Sequence, residues 1–289
     1  MRGPKNKTKN GTPWPVIVIW VLVAIVCIQG YFLFTRKEAP RPRPAAVKPA
    51  LKPEARPPAG KVTGRIAIVL DDWGFNRTHC RYMETIGAPV AAAILPNFQY
   101  SRDVLQCVRD SGQEAMLHLP LEPHRVHASN GVYPRGYVLT TQMPQKEILS
   151  LLRKILDEYP GITGVNNHMG SKATEDRELM TTVLKELKKR GLFFVDSMTS
   201  PKSVGAEVAQ ETGIPFAKRT VFLDNRNERA AIEKSFAEAA RLARETGFAL
   251  AIGHDRELTL KIITEQVRKL KQQGYQFLSV KDYIKAQQQ

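Results

Sequence analysis

Two adjacent carboxylates, Asp71 and Asp72, directly follow an apolar run at residues 66–70, and Gly74 comes two residues later. An unbroken apolar run of this length is typical of a strand buried on both faces, as in a parallel sheet covered by helices. Catalytic groups of α/β folds gather at the carboxyl ends of such strands. Two acids there can divide their tasks, one binding and one accepting a proton. Turn formation or helix capping is the alternative role.

Polar clusters also follow the later predicted strands, and three of the six histidines fall in them. They are His118 with Glu122, Asn166-Asn167-His168, Asp196-Ser197, Asp224-Asn225 and His254-Asp255. Strand ends of a barrel converge on one rim, so these groups can meet. One carboxylate and two imidazoles make a familiar open site for a divalent metal, which activates water and polarises a carbonyl. A hydrogen-bonded core histidine at His118 and turn-forming aspartates at Asp196 and Asp224 remain open alternatives.

Strands and helices must alternate to position these clusters. Helical periodicity marks residues 145–159 and 176–190. Glycines stand where helices should end, at Gly87, Gly112, Gly191, Gly213, Gly247 and Gly274. Further apolar runs lie at 89–95, 114–119, 162–166, 192–196, 219–223, 248–253 and 275–280.

With the first strand, these runs make about eight βα units, which predicts an all-parallel α/β domain, either a barrel or a doubly wound sheet. The even spacing of units with polar ends favours a barrel. The sequence contains no G-x-G-x-x-G and no Walker loop, so nucleotide binding lacks its usual sequence support.

The net charge of +15 is unevenly distributed along the 289 residues. Residues 1–63 carry +10 and the rest of the chain only +5. The basicity therefore belongs to the N-terminal region. The body has no basic-aromatic stripe, so we expect no nucleic-acid partner.

Residues 16–34 contain no charged side chain and are long enough to cross a bilayer as a helix. The sequence thus predicts a basic tail at 1–15, an uncleaved membrane anchor at 16–34, a Pro-, Lys- and Arg-rich spacer at 35–63 and a body at 64–285. Basic residues flank the anchor on both sides, so charge alone does not fix its orientation. We expect a cytoplasmic N-terminus and an exported body.

The three cysteines show no metal-type spacing. Cys27 lies in the predicted anchor, and Cys80 and Cys107 lie in the body. Two buried thiols are favoured over a single Cys80–Cys107 bridge.

Six motifs, in order along the body, resemble those of the divergent polysaccharide deacetylases. They are LDDWG, HLPLEP, NNHMGSKAT, FVDSMTS, GIPFAKRTVFLDN and AIGH. This bacterial envelope group is similar to the carbohydrate esterases that remove N-acetyl groups from chitin and peptidoglycan. The resemblance implies a distorted (β/α)7-type barrel, a divalent metal that is usually zinc, and an N-acetylated polysaccharide such as peptidoglycan as substrate. It also implies a single-pass protein of the bacterial inner membrane with a periplasmic body.

By position in these motifs, Asp71 is similar to the general base and Asp72 to a metal ligand. His118 matches the first ligand histidine, and His254 matches the histidine that protonates the leaving amine.

The chain also departs from the esterase pattern. The second ligand histidine, four residues after the first, is replaced by Glu122. The esterases' Arg-containing, Pro-Tyr-Gly strand motif is absent, and Asn167-His168 stands in its place. We therefore expect His168 as the third ligand, with Glu122 as an alternative ligand or a partner of one. Asn167 and Asp196 are expected to bind substrate or support the ligands.

These departures keep other functions open. A membrane-anchored glycan-binding module with a degenerate site is the principal alternative, and a plain envelope scaffold is another. A glycosidase would need two carboxylates flanking the bond, which Asp196 with Asp71 or Glu122 could supply.

Overall fold

The computed structural model describes residues 62–125 and 136–289. The predicted tail at 1–15, the anchor at 16–34 and nearly all of the spacer at 35–63 lie outside these residues. Within the two described ranges, no helix combines the length and the apolar character that crossing a bilayer requires.

The described residues alternate between strands and helices. The strands are β1 (Gly64–Trp73), β2 (Ala91–Ile94), β3 (Glu114–Leu121), β4 (Gly164–Met169), β5 (Phe193–Asp196), β6 (Phe216–Lys218), β7 (Val221–Phe222), β8 (Phe248–His254) and β9 (Tyr275–Leu278). The helices are α1 (Arg81–Thr85), α2 (Ser101–Asp110), α3 (Gln145–Glu158), α4 (Arg177–Lys189), α5 (Gly205–Thr212), α6 (Arg229–Thr246), α7 (Glu257–Gln272) and α8 (Val280–Gln287). Short 3₁₀ turns span Thr78–Cys80 and Ala173–Glu175. All the strand pairings are parallel, which confirms the predicted parallel α/β architecture.

The sheet curls around β1, in the order β6-β5-β4-β3-β2-β1-β8-β7. One edge of β1 pairs with β8, and the other pairs first with β9 and then with β2. At the two ends of this order, β6 pairs with β5 and β7 pairs with β8. Only Arg219 and Thr220 separate β6 from β7, so the chain itself connects the two ends of the sheet. This curled parallel sheet is of the (β/α) barrel type.

The strand predicted at 219–223 is present as the shorter β7, and β6 lies before the predicted range. The Thr220 hydroxyl accepts the Leu250 amide and donates to the Leu250 carbonyl, both at 2.9 Å. The Thr220 amide also donates to the Leu250 carbonyl, at 2.9 Å. Thr220 therefore holds the chain against β8 directly before β7 begins.

Side chains alternate between the two faces of the curled sheet. On β1, Ala67 and Val69 belong to the inner apolar cluster, whereas Ile66, Ile68 and Leu70 pack in the outer cluster with the helices. The inner cluster continues through alternate residues of the other strands, and it includes Val280, Tyr283 and Ile284 of α8.

Six glycines take positive φ where the sequence predicts helix ends, which confirms those boundaries. Gly213, with φ 66°, and Gly247, with φ 88°, directly follow α5 and α6 in the left-handed conformation. A β-carbon disfavours this conformation, and glycine lacks one.

Cys80 and Cys107 are joined by a disulfide bond, with their Cα atoms 6.2 Å apart. The prediction of two buried thiols was therefore wrong. The 3₁₀ turn that holds Cys80 packs against α2, which holds Cys107. This packing brings together residues that are 27 positions apart in sequence.

Candidate metal centre and active site

Side chains alternate between the inner and outer faces of the sheet, and this alternation determines which polar side chains face the cleft. Asp71 extends the inward series of Ala67 and Val69, and His254 extends that of Leu250 and Ile252. His118 follows the inward Met116. Asp71 is the register partner of His254, and His118 is the register partner of Asn166. Apolar inner positions therefore give way to polar ones at the carboxyl end of each strand.

Asp72 breaks this alternation. Regular pleating would turn it away from Asp71, but the β1–β2 register shifts between Leu70 and Trp73. Asp72 takes a left-handed φ of 64°, which is unfavourable for a residue with a side chain. This irregularity lets both carboxylates line the same cleft. Such local strain is characteristic of functional sites.

Asp72, His118 and His168 each direct one potential ligand atom to a common point. The Asp72 Oδ1 atom lies 3.3 Å from His118 Nε2 and 3.1 Å from His168 Nδ1. The three potential ligand atoms lie within 4.8 Å of one another. Buried Asp72 Oδ1 also lacks a hydrogen-bond partner. Buried unpaired polar atoms are costly, so this donor set fits a divalent cation such as zinc.

The electrostatics of these ligands suit metal binding. Burial raises the pKa of Asp72, but the nearby His118 and His168 outweigh this effect and hold the pKa well below its ordinary value. Burial lowers the pKa of His168 below its ordinary value, which favours the neutral imidazole. Ionised carboxylate and neutral imidazole are the forms that coordinate metals.

Asn166 connects the potential ligand His118 to Asp71. Its Oδ1 accepts from His118 Nδ1 at 2.8 Å, and its Nδ2 donates to Asp71 Oδ1 at 2.7 Å. An amide oxygen only accepts, so Nδ1 of His118 carries a hydrogen and Nε2 is the ring nitrogen that faces the potential metal site. One buried side chain thus fixes both the tautomer of His118 and the orientation of Asp71.

Asp71 is buried with one carboxylate oxygen committed to Asn166. Its Oδ2 lies 3.7 Å from His118 Nε2. Burial raises the pKa of Asp71 above its ordinary value, although His118 and His254 act in the opposite direction. A raised pKa makes the carboxylate a stronger base.

His254 is held from behind by the buried carboxylate of Asp224. His254 Nδ1 lies 2.8 Å from Asp224 Oδ1, and the Thr259 hydroxyl donates to Asp224 Oδ2 at 2.8 Å. Burial lowers the pKa of His254, but Asp224 outweighs this effect and the pKa lies above its ordinary value. His254 Nε2 lies 3.9 Å from Asp72 Oδ2, on the cleft side.

A cleft of about 1110 Å³ opens over these groups. Its wall includes Asp71, Asp72, His118, His168 and His254. The volume exceeds that of a typical small-molecule pocket and has room for more than one sugar ring.

The other predicted site residues lie elsewhere. Glu122 does not reach the potential ligand atoms, because its carboxylate accepts from the Thr141 amide at 2.7 Å and from Lys172 Nζ at 2.8 Å. Asp196 follows the inward Val195 and so faces outward, where it binds the Met198 amide. Neither carboxylate lies on the cleft wall with Asp71.

Asn167 lies on the cleft wall but is oriented by its neighbours at the strand ends. It accepts from the Ser197 amide at 2.8 Å and donates to the Met169 carbonyl at 2.7 Å. Its side chain therefore joins the ends of β4 and β5.

No site role was predicted from the sequence for Asn166, Asp224 or Arg219. Asn166 and Asp224 both stood in strand-end clusters, and the alternation that places Val165 outward would have placed Asn166 inward. Arg219 gave no signal of its own, because it occupies the interruption between β6 and β7 that the sequence did not reveal.

Comparisons with known proteins identify the family of the chain. The family model described as divergent polysaccharide deacetylase matches residues 68–284. An uncharacterized protein of Escherichia coli strain K12, YibQ, is 32% identical over 209 residues, which span 72% of this chain and 64% of that protein. An uncharacterized protein of Haemophilus influenzae is 32% identical over 207 residues, covering 71% of this chain and 72% of its own.

Among solved structures, the uncharacterized protein ATU2773 of Agrobacterium tumefaciens aligns with a TM-score of 0.70 and 25% identity. The alignment covers 78% of this chain and 91% of that one. The chain belongs to the divergent polysaccharide deacetylase family.

Proposed function

We propose that the protein is a metal-dependent hydrolase that removes acetyl groups from an N-acetylated polysaccharide of the bacterial envelope, such as peptidoglycan. One observation carries the proposal: Asp72, His118 and His168 converge beside Asp71 and His254. A base, an acid and a cation site in one cleft are the groups that amide hydrolysis requires. Membership of the family supports the choice of substrate.

In this mechanism Asp72, His118 and His168 hold the cation, with zinc favoured by the donor set. When bound, the metal acidifies water and polarises the acetamide carbonyl. Asp71 accepts the proton of the attacking water on Oδ2, because Asn166 occupies Oδ1. His254 then donates the proton on Nε2 to the departing sugar nitrogen, while Asp224 holds its Nδ1.

The test is acetate release by the purified full chain from N-acetylglucosamine oligomers and peptidoglycan fragments, with added zinc and with a chelator. We expect release that depends on metal and falls roughly 10²–10⁴-fold in Asp71→Asn. Asp103→Asn is a matched control, since Asp103 is an exposed residue of α2. Full activity in Asp71→Asn would refute the mechanism, and glycan binding without acetate release would favour the degenerate binding module.

The proposal also includes the number of strands in the barrel and the cellular location of the protein. If β6 and β7 are counted as one strand and β9 as an extension beside β1, the sheet has the seven strands of a (β/α)7-type barrel.

We propose that residues 16–34 anchor the chain in the inner membrane and that the body is periplasmic. The apolar run and the Cys80–Cys107 bridge support this, because disulfides persist in oxidising compartments. Protease digestion of the body in spheroplasts, but not in intact cells, is the expected result.

A further inference from the structure

Arginines outnumber acidic side chains on the cleft wall by three to two. Asp71 and Asp72 are its acidic side chains within the described ranges, and the other charged or titratable groups are histidines and arginines. The arginines are Arg125, Arg219 and Arg256. In the proposed reaction Asp72 binds a divalent cation, which adds positive charge. A cleft lined mostly by one sign of charge attracts ligands of the opposite sign.

Arg219 is the arginine whose orientation is best defined. Its Nε donates to the Ser197 carbonyl at 2.8 Å, and its Nη2 donates to the Met198 carbonyl at 3.0 Å. The guanidinium also stacks over the Phe222 ring, at 5.0 Å from the centroid. The Phe222 ring in turn contacts His254 edge-on, with centroids 5.2 Å apart. The Phe222 ring therefore contacts both Arg219 and the proposed proton donor.

Two backbone carbonyls occupy the Nε–Nη2 edge of this guanidinium and leave its Nη1–Nη2 end open. Among residues 62–125 and 136–289, no carboxylate lies within 4.0 Å of Arg219. Arg256, by comparison, lies 3.8 Å from the Asp224 carboxylate. Arg219 is thus a fixed, half-buried cation with a free fork on the cleft wall, and such forks bind carboxylates with two parallel hydrogen bonds.

We propose that Arg219 binds a carboxylate carried by the substrate, so that the preferred glycan is an acidic N-acetylated polysaccharide rather than a neutral one. This inference rests on the proposed function and narrows its substrate class. Asp71 and Asp196 are the acids whose charges act on Arg219 at longer range. The competing role for Arg219 is therefore to balance the charge of Asp71, and the experiment must separate the two roles.

The probes are a β-linked N-acetylglucosaminyl–N-acetylmuramic acid disaccharide and its methyl ester, which differ only in the free carboxylate. Calorimetric binding to the full chain, with metal removed by a chelator, measures affinity without hydrolysis. We expect the wild type to bind the acid at least about tenfold more tightly than the ester, because hydrogen bonds between charged groups are worth that much. This preference should disappear in Arg219→Gln and persist in Arg226→Gln, an exposed arginine outside the cleft.

Arg219→Lys keeps the positive charge and should keep part of the preference, which provides a test if the glutamine variant does not fold. Equal wild-type affinities for acid and ester would overturn the inference. Equal losses for both probes in Arg219→Gln would overturn it too, because charge balance at Asp71 does not distinguish them. Selective binding without acetate release from any glycan would refute the hydrolase proposal and leave the Arg219 inference intact.

Discussion

His118 and His254 are both strand-end histidines on the inner face of the sheet, and in both Nδ1 is hydrogen-bonded from behind. The difference is the acceptor. His118 is held by the neutral amide of Asn166, and His254 by the buried carboxylate of Asp224. A neutral acceptor raises the pKa of an imidazole only slightly, whereas a buried carboxylate strongly favours the imidazolium.

The location of negative charge separates the two histidines further. Burial lowers the pKa of His118, and Asp71 and Asp72 raise it above its ordinary value from the front, where Nε2 faces the potential metal site. For His254, the largest upward effect comes from Asp224 behind the ring. Bound metal would replace the proton on His118 but leave the Asp224–His254 pair intact. The comparison supports the proposed roles of His118 as a metal ligand and His254 as the proton donor.

Removing His118 should have the largest effect. His118→Ala is expected to lose bound zinc and to reduce acetate release at least roughly a thousandfold, because a metal supplies several kcal/mol of charge stabilisation. Metal analysis of the purified chain, together with an acetate assay, measures both effects. His124→Ala, an exposed histidine paired with Glu175 and outside the potential ligand group, is the matched control for metal content. Zinc retained at full stoichiometry in His118→Ala would contradict the assignment.

His254→Ala should separate chemistry from metal binding. We expect acetate release to fall roughly a hundredfold or more, as for loss of a general acid, while the zinc content stays at the wild-type level. Metal analysis and steady-state kinetics on the same preparation check this. Loss of zinc in this variant would mean that His254 is itself a ligand.

Asn166→Ala removes the neutral acceptor. Zinc affinity should fall roughly 10–100-fold, since a partner that orients a ligand histidine contributes that much. Competition titration with a chromogenic chelator measures the affinity. Gln145→Ala, an amide on α3 that donates to Thr182, is the control. Unchanged affinity in Asn166→Ala would show that His118 needs no such support.

Asp224→Asn gives His254 the same kind of acceptor as His118. Asp224 raises the pKa of His254, so Asp224→Asn should lower that pKa. His254 would then lose its catalytic proton at a lower pH. The alkaline limb of the pH–rate profile should therefore shift to lower pH, and the rate at neutral pH should fall on the order of tenfold. An alkaline limb that does not move would contradict the pairing.

The smallest effect is expected at Glu122, which the structure places outside the potential ligand group. Hydrogen bonds from Lys172 and Thr141 hold its pKa below the ordinary value, although burial acts upward. A carboxylate whose pKa is lower in the folded protein than in the unfolded chain stabilises the fold at pH values above its unfolded-state pKa. This stabilisation is lost as the pH falls through the folded-state pKa. Glu122→Gln should cost about 1 kcal/mol at neutral pH and little in acid. Chemical denaturation at both pH values measures this, and a loss of zinc would restore Glu122 as a ligand candidate.

The direction in which each strand-end side chain faces is the part of the site that the sequence could predict. Once the strands are assigned, one inward register contains Asp71, His118 and His254 at strand ends, and the same rule places Asp196 outward. Asn166 and Asn167 illustrate the limit of this approach, since their roles depend on the register of β4 to within one residue.

Features that depend on tertiary pairing could not be predicted from the sequence. The Asp72 irregularity exists because β1 and β2 change register there, and no local signal marks it. The separation of β6 from β7 depends on their pairing with two different strands, β5 and β8. The Cys80–Cys107 bridge likewise depends on the packing of a short turn against α2.

The most direct test of the metal centre is anomalous diffraction at the zinc edge from crystals of zinc-loaded protein. The arrangement predicts one peak about 2.0–2.2 Å from Asp72 Oδ1, His118 Nε2 and a ring nitrogen of His168, on the side that faces Asp71 and His254. A peak on other side chains, or none at this position under saturating zinc, would contradict the proposed metal-dependent chemistry.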